Sequence, residues 1–264
     1  MKTPFHSLSM ATALVVLAHG IASAQVPVKP SRPQAAARSE ADESKYTFIV
    51  FYKRNDAATQ AMTDAVKTEI TKYQQVATAK FIQVDDPANE SLVAQYDVSR
   101  APLPLTVAVA PNGAMTGMFP KKLPAGGIEG VFVTPTMMVT MKALQEGKLV
   151  LVTVGGSVPA PTPVAVTAFQ ADPHFRDRLV TVSMEAADPQ EAKFIGQMKI
   201  ADTVLETQTV LLAPPGVLVG KFNATASKEV VAAALAKAGK CCEDPNCKHQ
   251  PATHSATKAP ATRR

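Results

Sequence analysis

Three cysteines crowd into one short run near the C-terminal end, Cys241, Cys242 and Cys247, with His249 and then His254 following. Thiolate and imidazole are ligands for zinc and copper, and soft sulfur favours Cu(I). A turn at Asp244-Pro245-Asn246 would bring Cys247 back toward the vicinal pair, although the spacing is not that of a standard zinc finger. A disulfide from Cys247 to Cys241 or Cys242 would close a small loop and compete with metal. A bond between the neighbouring Cys241 and Cys242 would be strained. With three cysteines, one intramolecular disulfide leaves a thiol for a partner, a metal or a second chain. Vicinal cysteines on a flexible tail can also relay electrons by thiol–disulfide exchange. The residues therefore define a metal site (Cys241, Cys242, Cys247, His249), a disulfide staple or a mobile dithiol, and the sequence leaves the three open.

The remaining polar groups have simpler readings. Lys53-Arg54-Asn55-Asp56 ends a strand-like run, and Asp56 is placed to cap a helix. Asp85-Asp86 resembles a catalytic acid pair, but Asp86-Pro87 is mirrored by Asp188-Pro189 later in the chain, which favours helix capping. His174 stands beside Asp172 without further partners. Met137, Met138 and Met141 follow Thr134-Pro135 at core spacing, and methionine fills irregular apolar gaps. The chain carries no Ser-His-Asp pattern, glycine-rich phosphate loop or His-Glu-x-x-His motif.

The elements that position these groups lie between two biased ends. Residues 1–24 have a basic start, an apolar run over residues 10–18 and an Ala22-Ser23-Ala24 cleavage site. This reads as a signal peptide, cut before Gln25, too short to span a bilayer. The expected mature protein is exported, periplasmic or secreted as in bacteria, with no transmembrane segment. Residues 25–44, rich in Pro, Ala, Arg and Glu, read as a disordered linker, and residues 240–264 as a disordered basic tail. A formal charge of +5 without interleaved basic and aromatic residues gives no nucleic-acid surface. With 264 residues and 46% hydrophobic content, the chain can bury one or two cores.

Within that span one pattern is written twice. Residues 46–52, YTFIVFY, predict a buried strand, and Ala58, Met62, Val66, Ile70 and Tyr73 mark one face of the helix that follows. A strand at 79–84, a helix carrying Leu92, Val93 and Tyr96, a hairpin across 105–119 and a helix over 134–146 complete the first unit. The second predicts a strand at 149–154, a helix at 164–175, a strand at 179–184, a helix carrying Phe194, Ile195 and Met198, a hairpin at 209–222 and a helix ending at Gly239. Gly113, Gly117 and Phe119 correspond to Gly216, Gly220 and Phe222 at one constant offset.

The order β-α-β-α-β-β-α, with a proline-led hairpin, resembles the thioredoxin fold. FIVFY looks like the strand before the thioredoxin active site, and residues 81–119 resemble the family's second half, with Pro104 at the place of its cis-proline. The resemblance implies an α/β protein of two tandem thioredoxin-like domains, each a mixed sheet flanked by helices, at 45–147 and, more degenerate, 148–239. It also places the family's Cys-x-x-Cys at Asp56-Ala57-Ala58-Thr59 and near Gly155-Gly156-Ser157, where there is no sulfur. Paired cysteine-free modules are similar to the redox-inactive domains of protein disulfide isomerases. The expectation is an exported, non-catalytic module that binds or scaffolds protein segments, with no cofactor. Metal handling through the tail and a tail-thiol oxidoreductase are the alternatives.

Overall fold

A computed structural model of the chain describes residues 44–156, 161–200 and 206–239. The predicted signal peptide, the linker up to residue 43 and the Cys/His tail lie outside them.

The two units fold as two four-stranded mixed sheets. The first contains β1 (Tyr46–Tyr52), β2 (Ala77–Gln83), β3 (Leu105–Val109) and β4 (Met115–Pro120) in the order β2-β1-β3-β4. Its helices are α1 (Ala57–Lys72), α2 (Glu90–Gln95) and α3 (Pro135–Gln145). The second contains β5 (Leu149–Gly155), β6 (Leu179–Glu185), β7 (Gln208–Ala213) and β8 (Val217–Asn223) in the order β6-β5-β7-β8, with α4 (Val164–Ala171), α5 (Ala192–Gln197) and α6 (Lys228–Gly239). In each sheet the first two strands are parallel and the hairpin strand is antiparallel to the first. The chain is thus an α/β protein of two tandem thioredoxin-like domains.

The register repeats residue by residue. Ala108 pairs Gly117 just before a bulge, and Leu211 pairs Gly220 just before the same bulge. The repeated Gly-x-Phe has a steric cause, because residues two apart on a strand share a face. A Cβ on Gly117 would stand 2.9 Å from the Phe119 ring and 2.8 Å from Val131, and one on Gly220 would stand 2.8 Å from the Phe222 ring. Each glycine leaves space for the aromatic ring to fold back over its own strand. A left-handed residue also recurs after the second helix of each unit, Asp97 (φ 47°) and Lys199 (φ 53°).

Alternation along the central strands builds four apolar layers. Phe48 and Val50 face Met62 and Val66 of α1, while Ile49 and Phe51 face Leu92, Val93 and Tyr96. In the second unit Leu151 faces Ala165, Val166 and Phe169 of α4 with Val231 of α6. Val150, Val152 and Val154 face Phe194, Ile195 and Met198.

Helix α3 belongs to both units. Met138 and Met141 pack on the first core, whereas Met137, Ala143 and Leu144 pack into the second. The three methionines are partly buried and pack against the two cores, in keeping with their spacing. Thr134 caps the helix by accepting a hydrogen bond from the Met137 N–H at 3.2 Å, with Pro135 at the first helical position. The helix stops in a Schellman turn: Lys148 N–H donates to Ala143 O, Gly147 N–H to Leu144 O, and Gly147 takes φ 75°. β5 begins at the next residue but one, so the join between the units is a packed helix and a tight turn.

Some boundaries differ from the sequence pattern. The helix expected over 164–175 ends at Ala171, because Asp172 precedes Pro173 and is pushed to extended backbone. Asp86 and Asp188 cap short turns instead of full helices, accepting from Ala88 N–H at 2.9 Å and Gln190 N–H at 2.8 Å. α2 and α5 start only at Glu90 and Ala192.

Candidate functional site

The first unit presents two candidate surfaces, both built around α1. At its N-terminus, where the thioredoxin resemblance puts a dithiol, Asp56 holds extended backbone and accepts the Thr59 N–H at 2.9 Å. That hydrogen bond outweighs the opposing effect of desolvation and holds the Asp56 carboxyl below the ordinary aspartate range. The Asp56 carboxylate is a cap, and Ala57 and Ala58 behind it have no reactive atom. Lys53 reaches Asp85 at 3.6 Å, with both side chains more than half exposed, an ion pair of small energetic weight. Asp85 and Asp86 therefore point to separate partners and do not form an acid pair. The Leu103-Pro104 peptide is cis, as the resemblance implies for Pro104, and Lys121 N–H donates to Pro104 O at 2.7 Å. The second unit has its cis bond elsewhere, at Pro214-Pro215 in the hairpin turn.

Along the flank of α1 the structure opens a cavity of about 350 Å³. Ala61 and Ala65 keep the helix wall low, buried Met62 makes the floor, and Leu123 closes the opposite side. Lys121 and Lys122 stand at its rim, Lys121 in left-handed backbone at φ 67° that a lysine rarely adopts. Glu69 also lines the cavity, with its charge matched by Lys72 at 2.6 Å. Among the described residues neither Lys121 nor Lys122 has a side-chain partner. The sequence pattern does not mark this site, because residues 121–127, KKLPAGG, carry no hydrophobic period; the pair of adjacent lysines is the available signal.

A third feature was also silent in the sequence. Glu191, only 3% exposed, accepts the Thr136 N–H in the first turn of α3 at 2.8 Å through Oε1. Its Oε2 is buried with no hydrogen-bond partner among the described residues. A carboxylate from the second unit thus sits at the positive end of the shared helix. Lys193, two residues on, donates to the carbonyls of Gly130 and Phe132 at 3.3 and 3.4 Å. The loop they grip is fixed from the other side by Tyr46, whose hydroxyl accepts Val133 N–H at 3.1 Å and whose ring meets Phe132 edge-on.

His174 does not assemble a site. Its backbone N–H donates to Asp172 and its ring meets Phe175 edge-on, while Asp172 pairs Lys228 at 2.8 Å. Among the described residues no group of three or more His, Cys, Asp and Glu side chains is placed to hold a metal ion. The metal candidates Cys241, Cys242, Cys247 and His249 lie outside the described residues. No helix among the described residues is long and apolar enough to cross a membrane.

No protein-family model and no curated protein matches the chain. Among solved structures, the chain is similar to a thioredoxin from Thermus thermophilus at 18% identity, covering 45% of this chain and 96% of that one with a TM-score of 0.30. It is similar to the first two thioredoxin domains of Saccharomyces cerevisiae Eps1p at 12% identity, covering 74% and 93% with a TM-score of 0.26. Human ERp44 is similar at 8% identity, covering 75% of this chain and 56% of that chain with a TM-score of 0.31.

Proposed function

We propose that the chain is an exported, non-catalytic thioredoxin-like protein that binds or scaffolds protein segments. The observation that carries this reading is the state of the α1 N-terminus. Where a dithiol would need a thiolate stabilised by the helix N-terminus, the chain has Asp56-Ala57-Ala58-Thr59, and Asp56 is committed to capping. The first unit also keeps a cis-proline and, along the flank of α1, an open cavity, features that suit holding a chain without cutting or exchanging a bond. Residues 1–24 support export, with cleavage near Ala24-Gln25. The test uses the full chain in a disulfide-reduction assay beside a binding assay with a reduced, unfolded client. The reading expects saturable binding without turnover; clear reductase turnover contradicts it.

A second reading rests on the clustering of every cysteine in one tail run. Cys241, Cys242, Cys247 and His249 would hold zinc or copper, in competition with a disulfide, or the cysteines would act as a mobile thiol arm. Bound metal that disappears on deleting residues 240–264 supports metal handling, and metal content unchanged by that deletion refutes it.

A further inference from the structure

The cavity beside α1 combines an apolar floor with unmatched positive charge, and the two together select a ligand. Ala61, Met62, Ala65 and Leu123 offer only hydrocarbon and thioether surface, which favours an aliphatic side chain over a polar one. Its volume, about 350 Å³, lies at the small end of ligand sites, too small for a folded surface and suited to one or two residues. Lys121 and Lys122 both line this cavity and are exposed, while the Glu69 charge is already taken by Lys72. A mobile surface lysine pair is ordinary, but here the first lysine is fixed in left-handed backbone and anchored through its N–H to Pro104 O at 2.7 Å. Strained backbone retained beside a cavity points to a site that the fold maintains. The second unit is built differently here: residues 224–227 lead straight from β8 to α6, and Ala224 O accepts the Val164 N–H at 3.0 Å.

We infer that this cavity binds the C-terminal end of an apolar protein segment, its last aliphatic side chain on the Met62 floor and its α-carboxylate paired with Lys121 and Lys122. A chain terminus is the one point of an apolar segment that carries a fixed negative charge next to an aliphatic side chain. The inference rests on the proposal that the protein binds segments, and it names which part of the segment is held.

The test is fluorescence anisotropy with the full chain and a labelled octapeptide ending in Val-Leu. The peptide is prepared with a free carboxylate and as the C-terminal amide. The free acid is expected to bind about tenfold more tightly than the amide at low salt, the worth of two exposed charge contacts. The Lys121→Gln/Lys122→Gln double variant should erase that difference and leave amide binding unchanged. Ala65→Trp, or Ala61→Trp on the exposed helix face should the first misfold, should block both peptides by filling the cavity. Equal binding of acid and amide, or a difference that survives the double variant, overturns the carboxylate assignment. Peptide binding insensitive to both tryptophan variants overturns the site while leaving the wider reading intact. Failure to bind either peptide or a reduced, unfolded client overturns both.

Discussion

The two units share strand order, register and bulge, yet they treat the same two positions in opposite ways. Between its last strand and closing helix the first unit spends residues 121–134, enough to wall a cavity beside α1; the second spends only 224–227, tied to the start of α4 by a backbone hydrogen bond. At the start of the second helix, Asn89 is half-buried and bonds within its own unit, to Gln83 O at 3.0 Å. Its counterpart Glu191 is buried and crosses to the first turn of α3. The first helix contrasts too, with 16 residues and an Asp56 cap in α1 against 8 residues and no side-chain cap in α4. One copy of the fold presents a surface, and the other braces it.

That contrast can be broken most severely at the shared helix. Leu144→Ala leaves a cavity in the second core from a helix that closes the first, and should cost about 2–5 kcal/mol of stability in a urea titration. A loss confined to one unit would show that α3 does not couple them. The repeated hairpins should respond alike: Gly117→Ala and Gly220→Ala each push a Cβ into an aromatic ring and should cost about 1–3 kcal/mol, with Gly117 the worse because Val131 also blocks it. A neutral outcome at either position would remove the steric account of Gly-x-Phe.

The crossing carboxylate gives the next effect. Glu191→Ala strips the Thr136 N–H of its buried partner and should cost about 1–3 kcal/mol, while Asn89→Ala at the matching position should cost less. Equal losses in thermal melts would deny Glu191 its bracing role. The smallest expected effect is acid sensitivity within the second unit. The Lys228 ammonium, then the His174 backbone N–H, hold the Asp172 carboxyl below its ordinary range. A depressed folded pKa contributes stability above the unfolded value, about 3.9, and loses it as pH falls through the folded one. Wild-type protein should therefore lose stability below about pH 4, and Asp172→Asn should flatten that part of the melting-temperature profile. An unchanged slope would detach the Asp172–Lys228 pair from stability.

Much of the fold was legible because the first strand of each unit is an almost unbroken apolar run rich in β-branched residues, YTFIVFY and LVLVTV, ended by Lys53-Arg54-Asn55-Asp56 in one copy and by Gly155 in the other. The hairpins were legible through glycine, whose absent Cβ leaves a mark in any sequence. The division of α3 was not, because Met137, Met138 and Leu144 are equally apolar and only the second sheet decides which side each one faces. Glu191 was hidden for the opposite reason. A glutamate at the start of a helix reads as a solvated charge, and its burial depends on the N-terminus of a helix more than fifty residues earlier. The cavity depends on where a loop runs, which hydrophobic period does not encode. Of the tail, composition alone speaks, and Cys241, Cys242, Cys247 and His249 remain a matter for the metal and thiol experiments.

The central claim is that α3 and Glu191 make the two units one cooperative structure, and the chain carries its own reporters for it. All four tyrosines, Tyr46, Tyr52, Tyr73 and Tyr96, lie in the first unit, and there is no tryptophan. Tyrosine fluorescence therefore follows the first unit alone, while far-UV circular dichroism follows both. Urea titrations read by the two signals should superimpose on one transition, the mark of a single cooperative unit. A second dichroism transition that tyrosine fluorescence does not follow would contradict the account.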